Sequence, residues 1–387
     1  MKRIGLLIIF LFSGWFSQAQ HAPEIDSIHM VLLNPYIQLE AAQAINDMYN
    51  FKFEESMLNL KHLKYEYGWH PLPYFLMGLN YWWRLQPNLN NEEYALTFNT
   101  YMDSTILLAK RLHEEANPIE GAFFLAAAYG FKARLDSDRE DFGKAANNGR
   151  KALKYLKESK DYTEYSPELL FGDGLINYYA KWIRENYPML RPLMMFFPKG
   201  DKKLGVEQLR EVSRNAFYAR TEAQHYLLNI LFHDEKDYPE ARMLATYLYQ
   251  TYPDNSYFHR WYARMLYQMG DRRQSEIECL KIIQRIDSGQ VGYESYTGRY
   301  AAYFLGRIYK NKKPEEAKKY FLMALAYSEE VEATSKGYYF QSLYYLGELA
   351  QKRGDHEKAE YYYRRVKKLA GRKRSAYKKA KKALKEL

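Results

Sequence analysis

The chain of 387 residues predicts an all-α solenoid of about eight antiparallel helix pairs, closed by a basic capping helix. Three observations carry that expectation. Two helix pairs stand in register at a spacing of 34 residues, one starting near Glu222 and the next near Ser256. The same alternation extends in both directions, with Pro71, Pro118, Pro167 and Pro239 at predicted helix starts, where a missing backbone N–H is harmless. No segment shows the two-residue alternation of a half-buried strand.

Taken in order, 39–49 and 54–67 form the first pair, with Phe53 and Leu60 apolar. The second pair is 73–85 with a longer helix at 92–115, the third 119–135 with 142–159, and the fourth 167–186 with 202–216. The two register-matched pairs follow, then 299–326, whose turn at 310–314 places Pro314 first in the second helix. The last pair runs from Phe340 to about Gly371. In each later pair a small residue, Ala263, Gly306 or Gly347, lets the partner helix approach, and the next large side chain fills the space beside it.

Residues Phe232, Ala241, Leu248 and Pro253, then Ala263, Leu266, Gly270, Ser275 and Ile282, occupy equivalent positions of successive repeats. Leu305, Gly306, Tyr309, Ala317, Phe321 and Ala324 continue the pattern, as do Leu343, Leu346, Gly347, Gly354-Asp355, Ala359 and Tyr363. Over about 222–371 the chain resembles the tetratricopeptide-repeat family, and 20–221 reads as more divergent repeats of the same kind. The resemblance implies a right-handed superhelix whose first (A) helices line a concave groove that holds peptides or partner proteins. A shorter segment is similar to the inclusion-body-clearance family of tetratricopeptide proteins. It comprises Phe171-Gly172-Asp173-Gly174-Leu175-Ile176-Asn177, then Pro188, Pro192 and Phe197, then Gly200-Asp201-Lys202-Lys203-Leu204-Gly205, and it supports the repeat fold.

The ends carry their own information. Lys2 and Arg3, the apolar stretch 5–12 and Ser17-Gln18-Ala19 predict a secretory signal over 1–19, cleaved after Ala19. Its apolar run is shorter than the ~20 residues a membrane span needs. Export therefore points to the periplasm or the periplasmic face of an outer membrane, with a soluble mature chain. The net charge of +10 is a property of the tail: from Arg364 onward twelve Lys and Arg stand against one Glu. Tyr377, Ala380, Leu384 and Leu387 recur at helical spacing, so 372–387 reads as a helix that caps the last repeat or as a contact for an anionic surface.

Catalytic chemistry has no visible residue set. The nine histidines form no HExxH pair, there is no GxSxG elbow, and the single cysteine, Cys279, falls at an inward position of a repeat. Gly172-Asp173-Gly174 and Gly200-Asp201 lack the strand and the Gly-Lys-Ser/Thr ending of a phosphate loop. They read instead as a close helix crossing and a helix start. No enzyme activity, metal or cofactor is expected. Composition adds one bias, 39 tyrosines against 20 phenylalanines and 6 tryptophans, which suits ridges between helices where a ring is buried and a hydroxyl reaches a polar partner.

Two candidate contact regions remain. Projecting the repeat register onto the A helices places Tyr226, then Arg260, Arg264 and Tyr267, then Tyr303, Arg307 and Lys310, then Tyr344 toward the groove. Arg260 and Arg264 lie one turn apart, with Arg307 and Lys310 on the neighbouring helix, so they predict a cationic wall flanked by tyrosines, suited to carboxylates. The expected partner is a protein or peptide, anionic where it meets that wall; no nucleic acid is expected. The second region is 188–198, where Met189, Leu190, Leu193, Met194, Met195, Phe196 and Phe197 crowd together. It reads as an inter-helix plug or, with the basic tail, as a membrane-docking patch.

Overall fold

The computed structural model describes residues 30–159, 162 and 166–387; the predicted signal at 1–19 lies outside them. Helices α1 (Pro35–Tyr49) and α2 (Phe53–Tyr67), α3 (Pro71–Leu85) and α4 (Glu92–Glu115), α5 (Pro118–Asp138) and α6 (Phe142–Glu158) make three consecutive hairpins. Helix α7 (Pro167–Asn186) pairs with α9 (Lys202–Asn215) across an irregular segment containing the one-turn α8 (Arg191–Met194). Then follow α10 (Arg220–Ile230) with α11 (Tyr238–Thr251), α12 (Ser256–Gln268) with α13 (Arg272–Asp287), α14 (Ser295–Tyr309) with α15 (Pro314–Glu330), and α16 (Gly337–Lys352) with α17 (His356–Leu369). The result is a solenoid of eight helix pairs with α18 (Ser375–Ala383) packed on α16 and α17. No described residue belongs to a strand, and no helix is long and apolar enough to cross a membrane.

Local chemistry explains where the helices begin. Side chains of Asn34, His70, Asn91, Asn117 and Ser166 accept backbone N–H bonds at the starts of α1, α3, α4, α5 and α7. Between paired helices a second device recurs: a residue in the left-handed region followed by a capping aspartate. It appears as Glu140-Asp141, Lys236-Asp237, Gly270-Asp271 and Gly354-Asp355. The unpaired start of α10 is served differently. Glu168 on α7 is buried and accepts from the backbone N–H groups of Tyr218 and Ala219, each at 2.9 Å, which ties α7 to the entry of α10.

Packing follows the expected small-to-large pairing. A Cβ at Gly306 would stand 2.6 Å from the Phe321 ring, and one at Gly347 would stand 2.5 Å from the ring of Tyr363, which is fully buried. At the α7–α9 crossing Gly205 lies against the backbone of Tyr178 and Gly174, so Gly172-Asp173-Gly174 belongs to a helix contact, and Asp201 caps α9. Cys279 is buried in the α12–α15 region, and burial pushes its thiol up to about 12. The tail helix buries Ala376, Ala380 and Ala383, while Leu387, expected on the same stripe, is exposed because α18 ends before reaching it.

One feature has no local signal. The first two pairs fold back onto α10–α13, so the early part of the superhelix closes on itself. Asn255 Nδ2 donates to the carbonyl of Tyr49 at 2.7 Å, Asn50 bonds Asp254, and Trp83 Nε1 donates to Glu222 Oε1 at 2.7 Å. The Trp83 ring also meets Phe258 at 5.2 Å and His225 at 5.7 Å. Phe51 packs against the backbone of Gly292, where a Cβ would be 2.3 Å from its ring. These contacts join residues about 140 to 240 positions apart.

Two glycines give opposite expectations. Gly347→Ala should lower stability by about 1–3 kcal/mol, because Tyr363 has nowhere to move. Gly130→Ala, in the interior of α5 with no heavy atom within 4 Å of its added Cβ, should raise it by about 0.5–1 kcal/mol. Chemical denaturation of both variants tests the pair.

Candidate binding groove

Helices α10, α12, α14 and α16 lie side by side and carry an arginine and tyrosine wall. Arg260 on α12 is only 7% exposed; its guanidinium lies 4.6 Å from the Tyr257 ring, 5.1 Å from Tyr296 and 4.6 Å from Tyr300. Arg299 on α14, 2% exposed, lies 4.4 Å from Tyr296 and 4.5 Å from Tyr300. The centroids of those two rings are 6.0 Å apart, so both cations stand beside the same tyrosine pair. Arg299 Nη2 donates to the Tyr300 hydroxyl at 3.0 Å, while one terminal nitrogen of each guanidinium, Nη1, is buried without a partner.

The other predicted residues extend this wall unevenly. Arg264 stacks on Phe232 at 4.0 Å and Trp261 at 4.8 Å. Arg307 donates to the Tyr303 hydroxyl at 2.9 Å and lies 4.8 Å from the Tyr345 ring. Tyr303 is buried and donates to Gln341, and Tyr267 packs on Phe304 with Arg272 over its face at 3.5 Å. Lys310 differs: it is ion-paired with Glu348 at 2.8 Å, and Tyr344 donates to the same carboxylate at 3.2 Å. Its charge is therefore already matched. Tyr226 lies apart, buried against Phe171 and Tyr179 in the interior of the closed turn. Arg299 was absent from the sequence projection, although Tyr296, Arg299, Tyr300 and Tyr303 recur at helical spacing along one face of α14.

The electrostatics of the wall are one-sided. Among the described residues no carboxylate forms an ion pair with Arg260, Arg264, Arg299 or Arg307. Burial by itself would raise the phenol of Tyr300, yet Arg260, Arg299 and Arg264 together bring it below its ordinary value. Its neighbour Tyr296, beside the same two guanidiniums, is pushed up to about 12 by Tyr300 and by burial, so the arginines favour one negative charge on the pair. Each arginine gains from the aromatic faces, about 0.5–2 kcal/mol per contact, but stacking does not cancel a charge.

Beside the wall, the closed turn borders an open cavity of about 890 Å³ lined by α3, α5, α6, α7 and α10 and by residues of 187–197. Leu72, Phe75, Phe124, Phe131, Leu175 and Met194 make it largely apolar. Glu222 and His225 are its buried polar residues nearest the Trp83 contact. Burial pushes Glu222 up to about 7 despite its bonds to Trp83 and Tyr49, and burial with Arg134 and Arg260 pulls His225 down to about 3. The 187–197 segment both lines the cavity and presents Met189, Met195 and Phe196 outward, at 84%, 79% and 60% exposure. Arg184 holds it in place by donating to the carbonyls of Met194, Phe197, Pro198 and Lys199. No cluster of three or more His, Cys, Asp or Glu among the described residues is arranged to hold a metal.

No protein-family model and no curated relative matches the sequence. Among solved structures, the human IFIT1 dimer with PPP-AAAA is similar at 15% identity and a TM-score of 0.43, over 82% of this chain and 68% of that one. The P58(IPK) TPR domain gives 11% identity and a TM-score of 0.22, over 90% and 97% of the two chains. A circular tandem repeat protein with novel repeat topology gives 13% and 0.26, over 90% and 94%. Likenesses at this level carry no argument about ligands. The chain is an all-α solenoid of tetratricopeptide-like helix pairs on the strength of its own helices, turns and small-to-large contacts.

Two measurements probe the site's charges. Replacing Arg260 or Arg299 by Met removes a buried cation that lacks a counter-charge, so each variant should match or exceed wild-type stability, by up to about 1–3 kcal/mol. For Glu222 the native carboxyl holds its proton to higher pH than the unfolded one, so its contribution is fully present below pH 4.5 and is lost as pH rises to about 7. Glu222→Gln, which keeps an acceptor for Trp83, should remove that decline, on the order of 1–3 kcal/mol, in urea titrations compared at pH 5 and pH 8.

Proposed function

We propose that this chain is an exported, non-catalytic scaffold that holds an anionic segment of a partner protein in its concave groove. The observation that carries this reading is the set of four arginines, Arg260, Arg264, Arg299 and Arg307, without a carboxylate partner among the described residues. Arg264 and Arg307 are half-buried and reachable, so they are placed to meet acidic side chains in two-point fashion. Arg260 and Arg299 sit deeper and add potential that favours an incoming negative charge. The surrounding tyrosines offer rigid faces and hydroxyls, which suits recognition with little loss of side-chain freedom. Lys310 and Tyr344, engaged with Glu348, mark the edge of the wall. Export rests on the signal features of 1–19.

A second reading has its own support. The outward Met189, Met195 and Phe196, together with the exposed lysines of the tail helix, suit a peripheral contact with an anionic envelope membrane. It predicts sedimentation with phosphatidylglycerol vesicles that is salt-sensitive and lost when 372–387 are removed. Absence of binding at low salt rejects it.

For the groove, a fluorescent oligoglutamate peptide titrated against the mature protein should show salt-dependent anisotropy. Arg264→Glu/Arg307→Glu should weaken it at least tenfold with circular dichroism unchanged. Equal binding by the double variant, or preference for oligolysine or oligoadenylate, contradicts the reading.

A further inference from the structure

Where the arginine wall meets the cavity, helix α10 runs into an unusual last turn. Leu231–Glu235 is a π-helix followed by Lys236 in the left-handed region, and such turns recur at functional positions. It sets His233 beside Arg264 of α12. Arg264 Nη2 lies 3.5 Å from His233 Nε2, and among the described residues this is the only hydrogen bond of that guanidinium. The imidazole stands edge-on to the Trp261 ring at 5.6 Å and belongs to the lining of the open cavity. His233 is exposed and Arg264 half-buried, so a ligand can reach both.

The hydrogen bonds decide which imidazole nitrogen is free. A carbonyl only accepts, so His233 Nδ1, 3.1 Å from the carbonyl of Asn229, carries the ring proton and Nε2 presents its lone pair to the guanidinium. A second proton, on Nε2, would set two cationic donors against each other. Partial desolvation and the Arg264 charge accordingly hold the imidazole below its ordinary value, against the opposing pull of the Asn229 carbonyl and Asp234. Arg264 from α12 and Asp234 on its own turn are the ionisable groups that act on it. Helix α7 reaches this corner through Trp182, whose Nε1 donates to Asp234 at 2.8 Å, and α11 through Tyr238, which packs on Phe232. A carboxylate reverses the balance: one oxygen accepts from Arg264 and the other from a protonated Nε2, so the two donors cease to oppose each other and each makes a charge-assisted bond.

We propose, resting on the groove function above, that His233 and Arg264 together receive one carboxylate of the bound segment, and that its arrival draws a proton from solvent onto His233 Nε2. Capture therefore tightens as pH falls. By linkage, the bound segment raises the affinity of His233 for its proton by the same factor.

The test repeats the anisotropy titration of the mature protein with the fluorescent oligoglutamate peptide at pH 7.5 and pH 6.0 and constant ionic strength, a range in which the peptide's carboxylates stay ionised. Wild type should bind about fivefold or more tightly at pH 6.0 than at pH 7.5. His233→Gln should lack that gain and bind more weakly than wild type at pH 6.0. His233→Lys, which keeps a cation at this position, should bind more tightly than wild type at pH 7.5. Wild-type binding that does not change over this range, a gain on acidification that survives in His233→Gln, or His233→Lys no tighter than wild type at pH 7.5 would each overturn the proton-coupled site while leaving the groove reading standing. Absence of binding at both pH values would overturn the two together.

Discussion

The contact on which the rest of the molecule depends is the bond from the Trp83 indole to the Glu222 carboxylate. It joins α3 to α10 and pulls the first helix pairs onto the middle of the solenoid. A helical repeat ordinarily touches only its neighbours, so its inner face stays open to solvent. Here Tyr49, Asn50, Phe51 and Trp83 reach α10–α13 and turn part of that open face into an interior. The cavity, the buried Glu222 and the uncharged His225 all follow from that closure. So does the position of Tyr257, which lies between Trp83 and the guanidinium of Arg260.

The arginine wall and the cavity are two different environments. On the wall, cations are held by aromatic faces, with no ion-paired acid among the described residues; beside the cavity, Arg134 is matched by Asp138. Arg260 and Arg299 at the wall and Glu222 and His225 beside the cavity are buried, so each exerts more influence than it would on an open surface.

Much of the architecture was legible in the sequence because it is encoded locally and repeatedly. Gly270-Asp271 and Gly354-Asp355 announce their turns, prolines 71, 118, 167 and 239 announce helix starts, and Gly306 and Gly347 announce close crossings. The register also placed Arg260, Arg264 and Arg307 on neighbouring A helices. It missed Arg299, one turn before Tyr303 on the same face, because the register makes Arg299 the first position of its repeat and assigns the groove from the fifth onward. It also over-counted Lys310, whose partner Glu348 lies 38 residues away. The closure was not legible at all. Trp83 reads as an ordinary core aromatic, Glu222 as an ordinary acid in a first helical turn, and nothing local links residues 139 positions apart.

The central claim is that the arginine wall carries positive charge left unmatched among the described residues. Tyrosine ionisation reports it directly, through the difference in 295 nm absorbance between wild type and Tyr300→Phe, titrated from pH 7 to pH 10. The account predicts one phenol ionising below the ordinary range, moving upward when oligoglutamate is bound. A Tyr300 that titrates at or above the ordinary range, with no response to the peptide, would contradict it.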